Sequence, residues 1–262
     1  MLLQDKVVII SGVGPGLGTH LGTLAAREGA KVVLAARTVS NLDSVEGAIR
    51  ALRPDAQVLK VRTDITCRAD CAELVGETVE RFGRIDGLVN SAYIPGTLSP
   101  VETADLDDWR MTFEVNLFGT LNLVQAVLPQ MKRQGGGAIV NVNSQVVHKP
   151  LAGQGGYAAS KAALAAATSH LALECGKYGI RVNSVFLGWM WGPAVEGYFK
   201  ALAQELRTTV EALKQNVSEH IALGIIPEDR ECAKSVLFLI SDYASVVTGA
   251  SLDVNGGDFF PT

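Results

Sequence analysis

No stretch of this sequence approaches the roughly 20 consecutive apolar residues of a membrane helix; its apolar runs are short and broken by glycine, asparagine or charge. No membrane partner is therefore expected. Lysine and arginine never gather into a block, and the formal net charge is −4. The basic footprint of a nucleic-acid binder is missing. The four cysteines, Cys67, Cys71, Cys175 and Cys232, include one C-x3-C pair with no second pair and no nearby histidine. They read as small, mostly buried side chains in a reducing compartment rather than zinc ligands. His20, His148, His170 and His220 also lack metal-ligand spacing, so no metal site is expected. The chain starts Met1-Leu-Leu-Gln-Asp-Lys, with no charged leader ahead of an apolar segment, which reads as a cytoplasmic protein without a signal peptide. Aromatics are scarce at 6%, and charged residues, at 19%, fall below the ordinary quarter.

What remains is an apolar chain, 48% hydrophobic over 262 residues, long enough for a large core. Strand-length runs alternate with stretches of helical spacing. The expected strands are Lys6–Ser11, Lys31–Ala36, Gln57–Arg62, Asp86–Asn90, Ala138–Val142, Ile180–Phe186 and Ser251–Val254. Helical patterns cover Gly16–Gly29, Leu42–Leu52, Ala69–Phe82, Leu106–Asn116, Leu117–Arg133, Gly155–Tyr178, Pro193–His220 and Asp229–Ser241. This alternation predicts an α/β fold: a doubly wound parallel sheet of about seven strands with helices on both faces. No linker or composition shift divides it, so residues 1–262 read as one domain.

Where the first strand meets the first helix stands Ser11-Gly-Val-Gly-Pro-Gly-Leu-Gly18. A glycine string gains meaning from that strand–turn–helix context. Gly12 suits the tight turn, Gly16 the close approach of a pyrophosphate, and Gly18 close packing of helix on strand. Gly14 and Leu17 belong to the same loop. The helix N-terminus offers free N–H groups and partial positive charge to phosphates. At the end of the second strand, Arg37 stands where an acid would favour NAD. NADP(H) is thus the expected cofactor and NAD(H) the alternative, against a bland reading of Arg37 as solvated surface.

Tyr157 and Lys161 fall at i and i+4, on one face of a helix. A lysine ammonium stabilises phenolate, which suits Tyr157 to acid/base work on a hydroxyl or carbonyl oxygen. Ser144 follows the fifth strand, at the sheet edge where such folds bind ligands. Its hydroxyl is a candidate donor to the substrate oxygen.

With these motifs, the chain resembles the short-chain dehydrogenase/reductase superfamily over essentially its whole length. The matching residues are Ser11–Gly18, Asp64, Asn90-Ser-Ala92, Asn116, Ser144, Tyr157, Lys161, Arg181-Val-Asn-Ser, Val247-Thr-Gly and Asn255-Gly-Gly. The resemblance implies that Tyr157 is the acid/base, that Lys161 lowers its pKa and binds the nicotinamide ribose, and that Ser144 orients the substrate. Asn116 would hold a water in a proton relay. Asp64 would contact adenine, with Ile65, Asn90, Ser91, Ala92, Gly188 and Met190 also at the cofactor. It further implies a homotetramer or homodimer.

Two departures stand out. Tyr93 replaces a glycine and is either strained, if its φ is positive, or turned into the site. Leu187-Gly-Trp-Met-Trp-Gly192 lacks the proline and the nicotinamide-binding threonine of the family's P-G-x3-T segment. Trp189 and Trp191 open the variable substrate loop, read as a lid over 189–228. With Tyr93, Gln145 and Gln154 they are candidate lining of an apolar pocket for a bulky secondary alcohol or ketone; equally, the rings pack the lid or an interface. Three functions follow: hydride transfer with a small-molecule substrate, a cofactor-binding sensor or partner without turnover, and the same fold used for epimerisation, dehydration or enoyl reduction. The intact Ser144–Tyr157–Lys161 set favours the first. The resemblance adds that enoyl reductases usually stretch the Tyr–Lys spacing.

Overall fold

In the computed structural model, which describes residues 1–260, all seven strands lie in one sheet in the order β3-β2-β1-β4-β5-β6-β7. They are β1 (Val7–Ser11), β2 (Lys31–Ala36), β3 (Val58–Arg62), β4 (Gly87–Asn90), β5 (Gly137–Ser144), β6 (Ile180–Leu187) and β7 (Ser251–Val254). Every adjacent pair is parallel. Residues 261 and 262 of the expected domain lie outside the described residues.

Side-chain alternation along each strand feeds two cores. Val8 and Ile10 of β1 point to one face and pack with α1 (Leu17–Arg27), α2 (Val39–Leu52) and α9 (Asp229–Ile240). Val7 and Ile9 point to the other, against α3 (Arg68–Phe82), α5 (Thr120–Arg133) and α6 (Gly155–Cys175). The expected stripe Leu17, Leu21, Leu24 and Ala25 of α1 is wholly buried. Strand order reverses between β1 and β4, and the crevice at their carboxyl ends is where open parallel sheets take ligands.

Two helical expectations change. The boundary set between Asn116 and Leu117 is instead a π-helical segment, Glu114–Gly119, joining α4 (Leu106–Phe113) to α5 without a break. The Pro193–His220 pattern divides into α7 (Pro193–Glu205) and α8 (Val210–Ser218). Arg207 turns left-handed between them (φ 50°), and the Thr209 side chain caps α8 by accepting from the Ala212 N–H. Phe199, Ile221 and Ile226 give this segment its own small core.

Candidate active site

A cleft of about 500 Å³ opens over the carboxyl ends of the strands. Its floor begins at the glycine loop. Gly12 has φ +85°, and a Cβ there would lie 2.3 Å from the Ala92 nitrogen. Gly16, at φ +93°, caps α1 without a side-chain partner, and the first turn of α1 carries no acid. The first N–H groups of α1 are thus free to meet an anion. Ser11, Gly12, Val13, Pro15, Gly16, Leu17 and Gly18 line the cleft, whereas Gly14 does not; it faces Asn41 instead. Beyond the loop, Arg37, Thr38 and Asn41 form one end, with Asp64 and Ile65 beside them. Arg37 is exposed. The Asp64 carboxylate accepts from the Thr66 N–H (3.0 Å) and hydroxyl (2.7 Å), which fixes its orientation.

At the other end stand Ser144, Tyr157 and Lys161, brought from β5 and α6 to one wall. Lys161 is 3% exposed; its Nζ donates to the Val142 carbonyl at 2.8 Å and lies 5.8 Å from the Tyr157 ring centre. Burial pushes the Lys161 ammonium down to about 7. Burial, seconded by neighbouring Tyr93, holds the Tyr157 phenol well above its ordinary value, while the adjacent Ser144 side chain pulls it back. Tyr157 is therefore a protonated donor at neutral pH: burial outweighs the lowering expected from Lys161, whose charge would still ease removal of that proton. The arrangement can give a proton to, or take one from, an oxygen held between Ser144 and Tyr157.

Two family positions sit behind the wall rather than on it. Asn116 is fully buried: its Nδ2 donates to the Ile94 carbonyl and the Ser160 hydroxyl, both at 3.0 Å, and its Oδ1 accepts from the Ile94 N–H at 2.9 Å. Both amide protons are committed to tying the β4–α4 loop to α6, so a relay water would be held through groups other than those protons. The π segment is the backbone distortion that aims this side chain at that loop. Asn90 is buried too, donating to Asn141 Oδ1 at 2.9 Å. Its neighbours Ser91 and Ala92 do line the cleft, as do Gly188 and Met190.

Tyr93 is not strained. Among the described residues only Asp5 and Arg207 are non-glycines with positive φ. Its ring instead faces the cleft, 6.0 Å from the Tyr157 ring and 5.7 Å from Lys161 Nζ. Gln145, Gln154 and Trp189 line the same space, with Leu98, Leu151 and Val195. Trp191 is a correction to the expected pocket. It bridges to Glu228, packs edge-on against Phe199 at 5.8 Å, and lies under Lys214 in a separate cleft. Both rings pack on Phe199, but the bridge to Glu228 holds Trp191 outside the cleft that Trp189 lines. Tyr198 and Phe199 likewise pack within the lid segment. His148 stacks on Phe259 and lies tilted against Phe186. Asp229 was missed altogether: as an acid in the first turn of α9 it looks like ordinary helix-dipole compensation, yet it is 5% exposed and lines the cleft. Among the described residues no cluster of three or more His, Cys, Asp or Glu side chains is placed to hold a metal, and no helix is long and apolar enough to cross a membrane.

A family described as "Enoyl-(Acyl carrier protein) reductase" matches residues 12–258. Levodione reductase of Leifsonia aquatica is 36% identical over 97% of this chain and 94% of its own length. The chain belongs to the short-chain dehydrogenase/reductase superfamily. This reductase relationship extends to the crystal structure of levodione reductase, which superposes with a TM-score of 0.90 over 97% of this chain and 98% of that one. Trans-4-hydroxycyclohexanecarboxylate dehydrogenase of Sinomonas cyclohexanicum is 35% identical, covering 98% of this chain and 93% of that one. A 7α-hydroxysteroid dehydrogenase complexed with NADH and 7-oxo glycochenodeoxycholic acid shares 30% identity and a TM-score of 0.87 over 97% of this chain and 94% of its own. This short-chain dehydrogenase/reductase is accordingly an oxidoreductase, with the seven-stranded doubly wound sheet of its relatives.

Proposed function

We propose that this enzyme moves a hydride between a nicotinamide dinucleotide and a cyclic secondary alcohol/ketone pair of apolar character. The observation that carries the reading is the placement of Ser144, Tyr157 and Lys161 on one wall of a cleft whose floor is the glycine loop. The glycines leave room for a dinucleotide's backbone and α1 offers its N–H groups to the pyrophosphate, so the residues present fit that cofactor. When bound, the dinucleotide supplies or accepts the hydride at its nicotinamide ring. In ketone reduction Tyr157 gives its phenolic proton to the carbonyl oxygen as that oxygen gains charge, and Ser144 donates a hydrogen bond to the same oxygen. Lys161, behind Tyr157, stabilises the phenolate left behind. Alcohol oxidation runs the same proton in reverse.

The named relatives act on a levodione, a hydroxycyclohexanecarboxylate and a hydroxysteroid, all rings. Tyr93, Leu98, Leu151, Trp189 and Val195 suit such a ring, and Gln145 and Gln154 suit an oxygen on it. We further infer one domain with residues 189–228 as its substrate lid, and a cytoplasmic setting in keeping with the four free cysteines.

NADP(H) is favoured over NAD(H) because the exposed Arg37 flanks the cleft with Asn41 and Thr38, and no acid stands at the end of β2. Steady-state kinetics with both dinucleotides, on cyclic ketones and on small sugars, test the reading. Arg37→Ala is expected to lower kcat/KM with NADPH by about tenfold or more, a charge-assisted contact of 1.5–3 kcal/mol, and to leave NADH unchanged. An unchanged ratio between the cofactors removes this role for Arg37, and turnover restricted to sugars removes the apolar substrate.

Assembly is proposed as a homotetramer. Exposed apolar side chains gather on helical surfaces, Met111 and Phe118 around α4, Leu173 on α6, and Tyr243 and Val246 just after α9. Size-exclusion with light scattering is expected to give four times the 27.7 kDa chain mass; a single-chain mass would refute it.

A further inference from the structure

The bare backbone of Gly192 and the carboxyl of Asp229 share one space. The extended stretch Trp191–Gly192 pairs with the approach to α9: the Trp191 N–H donates to the Pro227 carbonyl at 2.7 Å, and the Asp229 N–H donates to the Trp191 carbonyl at 3.2 Å. This lays the Asp229 carboxyl over Gly192. A Cβ on Gly192 would lie 1.9 Å from Asp229 Oδ2 and 2.4 Å from its Cγ, so the carboxyl fills the space that a side chain at 192 would take. The same Oδ2 would lie 2.7 Å from a Cβ on Gly16, the residue that caps α1. Asp229 is thus wedged between the lid segment and the phosphate-binding end of α1. It lines the main cleft, and its carboxyl has no hydrogen-bond partner among the described residues.

We propose that the Asp229 carboxyl sets this site's affinity for a dinucleotide's pyrophosphate, competing with it for the positive end of α1 when ionised and admitting it when protonated. The inference rests on the dinucleotide reading above. An ionised carboxylate at Gly16 occupies the field that α1 offers to phosphate, and it repels a pyrophosphate placed in the same cleft. Protonation removes the repulsion and turns the carboxyl into a donor. Burial already pushes the Asp229 carboxyl above the usual aspartate value, with Glu228 acting in the same direction and His20 of α1 against it. The other titratable groups in its field are Tyr93 after β4 and Cys232 on α9. The sign follows: as pH rises, Asp229 ionises and dinucleotide affinity falls.

The test is the dissociation constant of NADH and of NADPH, read by nicotinamide fluorescence from about pH 5 to pH 8, for the native chain and for Asp229→Asn. NADH lacks the 2′-phosphate whose own titration falls near pH ~6, and the ratio of variant to native at each pH cancels what remains. Asp229→Asn is expected to bind about tenfold more tightly than the native chain at the upper end, and that ratio is expected to narrow as the pH falls. Parallel curves, or weaker binding by Asp229→Asn throughout, overturn the inference and leave the dinucleotide site standing. Binding of neither dinucleotide by either protein at any pH overturns the reading of the site itself.

Discussion

Tyr157→Phe is expected to cost between about 10² and 10⁴ in kcat while leaving the Kd for dinucleotide within about twofold. The phenyl ring keeps the packing against Tyr93 at 6.0 Å and leaves Lys161 on the Val142 carbonyl, so the cleft is preserved. What disappears is the hydroxyl that stands against Ser144 and in front of a buried lysine. Without it, the alkoxide formed on the substrate meets one hydrogen bond from Ser144 and no proton. Lys161 does not substitute: its Nζ sits behind the Tyr157 ring, 5.8 Å from its centre, and is held on the Val142 carbonyl. Ser144→Ala, by contrast, removes a donor and leaves the proton source, and loses less. Single-turnover rates together with fluorescence titration separate the two effects. A Tyr157→Phe protein that turns over like the native chain contradicts the mechanism.

Gly12→Ala is expected to destabilise the fold by about 2–5 kcal/mol and to abolish dinucleotide binding. Alanine at φ +85° costs about 1–3 kcal/mol. The added methyl also meets backbone just past the end of β4: Ala92 N at 2.3 Å, Ala92 Cα at 2.4 Å and the Ser91 carbonyl carbon at 2.7 Å. No flexible side chain is there to give way, so the exit of β1 must part from the exit of β4 at the point where the cleft forms. A fall in melting temperature on the order of 10 °C follows for a chain of this size. Gly47→Ala is the control. Nothing lies within 4 Å of a Cβ there, inside α2, and alanine is expected to stabilise that helix by about 1 kcal/mol. Equal melting of Gly12→Ala and the native chain contradicts the account of the loop.

The strands and the glycine loop were legible because their signals are local. A parallel strand buried on both faces reads as an unbroken apolar run, as Val7–Ile10 does, and the turns at Gly12 (φ +85°) and Gly16 (φ +93°) favour glycine. The Tyr157–Lys161 pairing was legible from helical geometry alone. What stayed hidden depends on partners distant in sequence. Asn116 gives no local sign that its amide ties Ile94 to Ser160, and the π segment that aims it reads in sequence as a boundary between two helices. Trp189 and Trp191 read alike, and only the bridge from Trp191 to Glu228 sends the second away from the cleft. Asp229 was hidden for the same reason: an acid opening a helix is ordinary until Gly192 and Gly16 are seen against its carboxyl.

Dinucleotide reduced with deuterium at the nicotinamide C4 on the transferred face, incubated with a cyclic ketone and analysed by mass spectrometry, tests the central claim most directly. The account predicts one deuterium at the carbinol carbon of the alcohol formed, with no label in solvent, and loss of the product in Tyr157→Phe. Ketone returned unlabelled and unreduced from both NADPH and NADH across a range of ring sizes would contradict it.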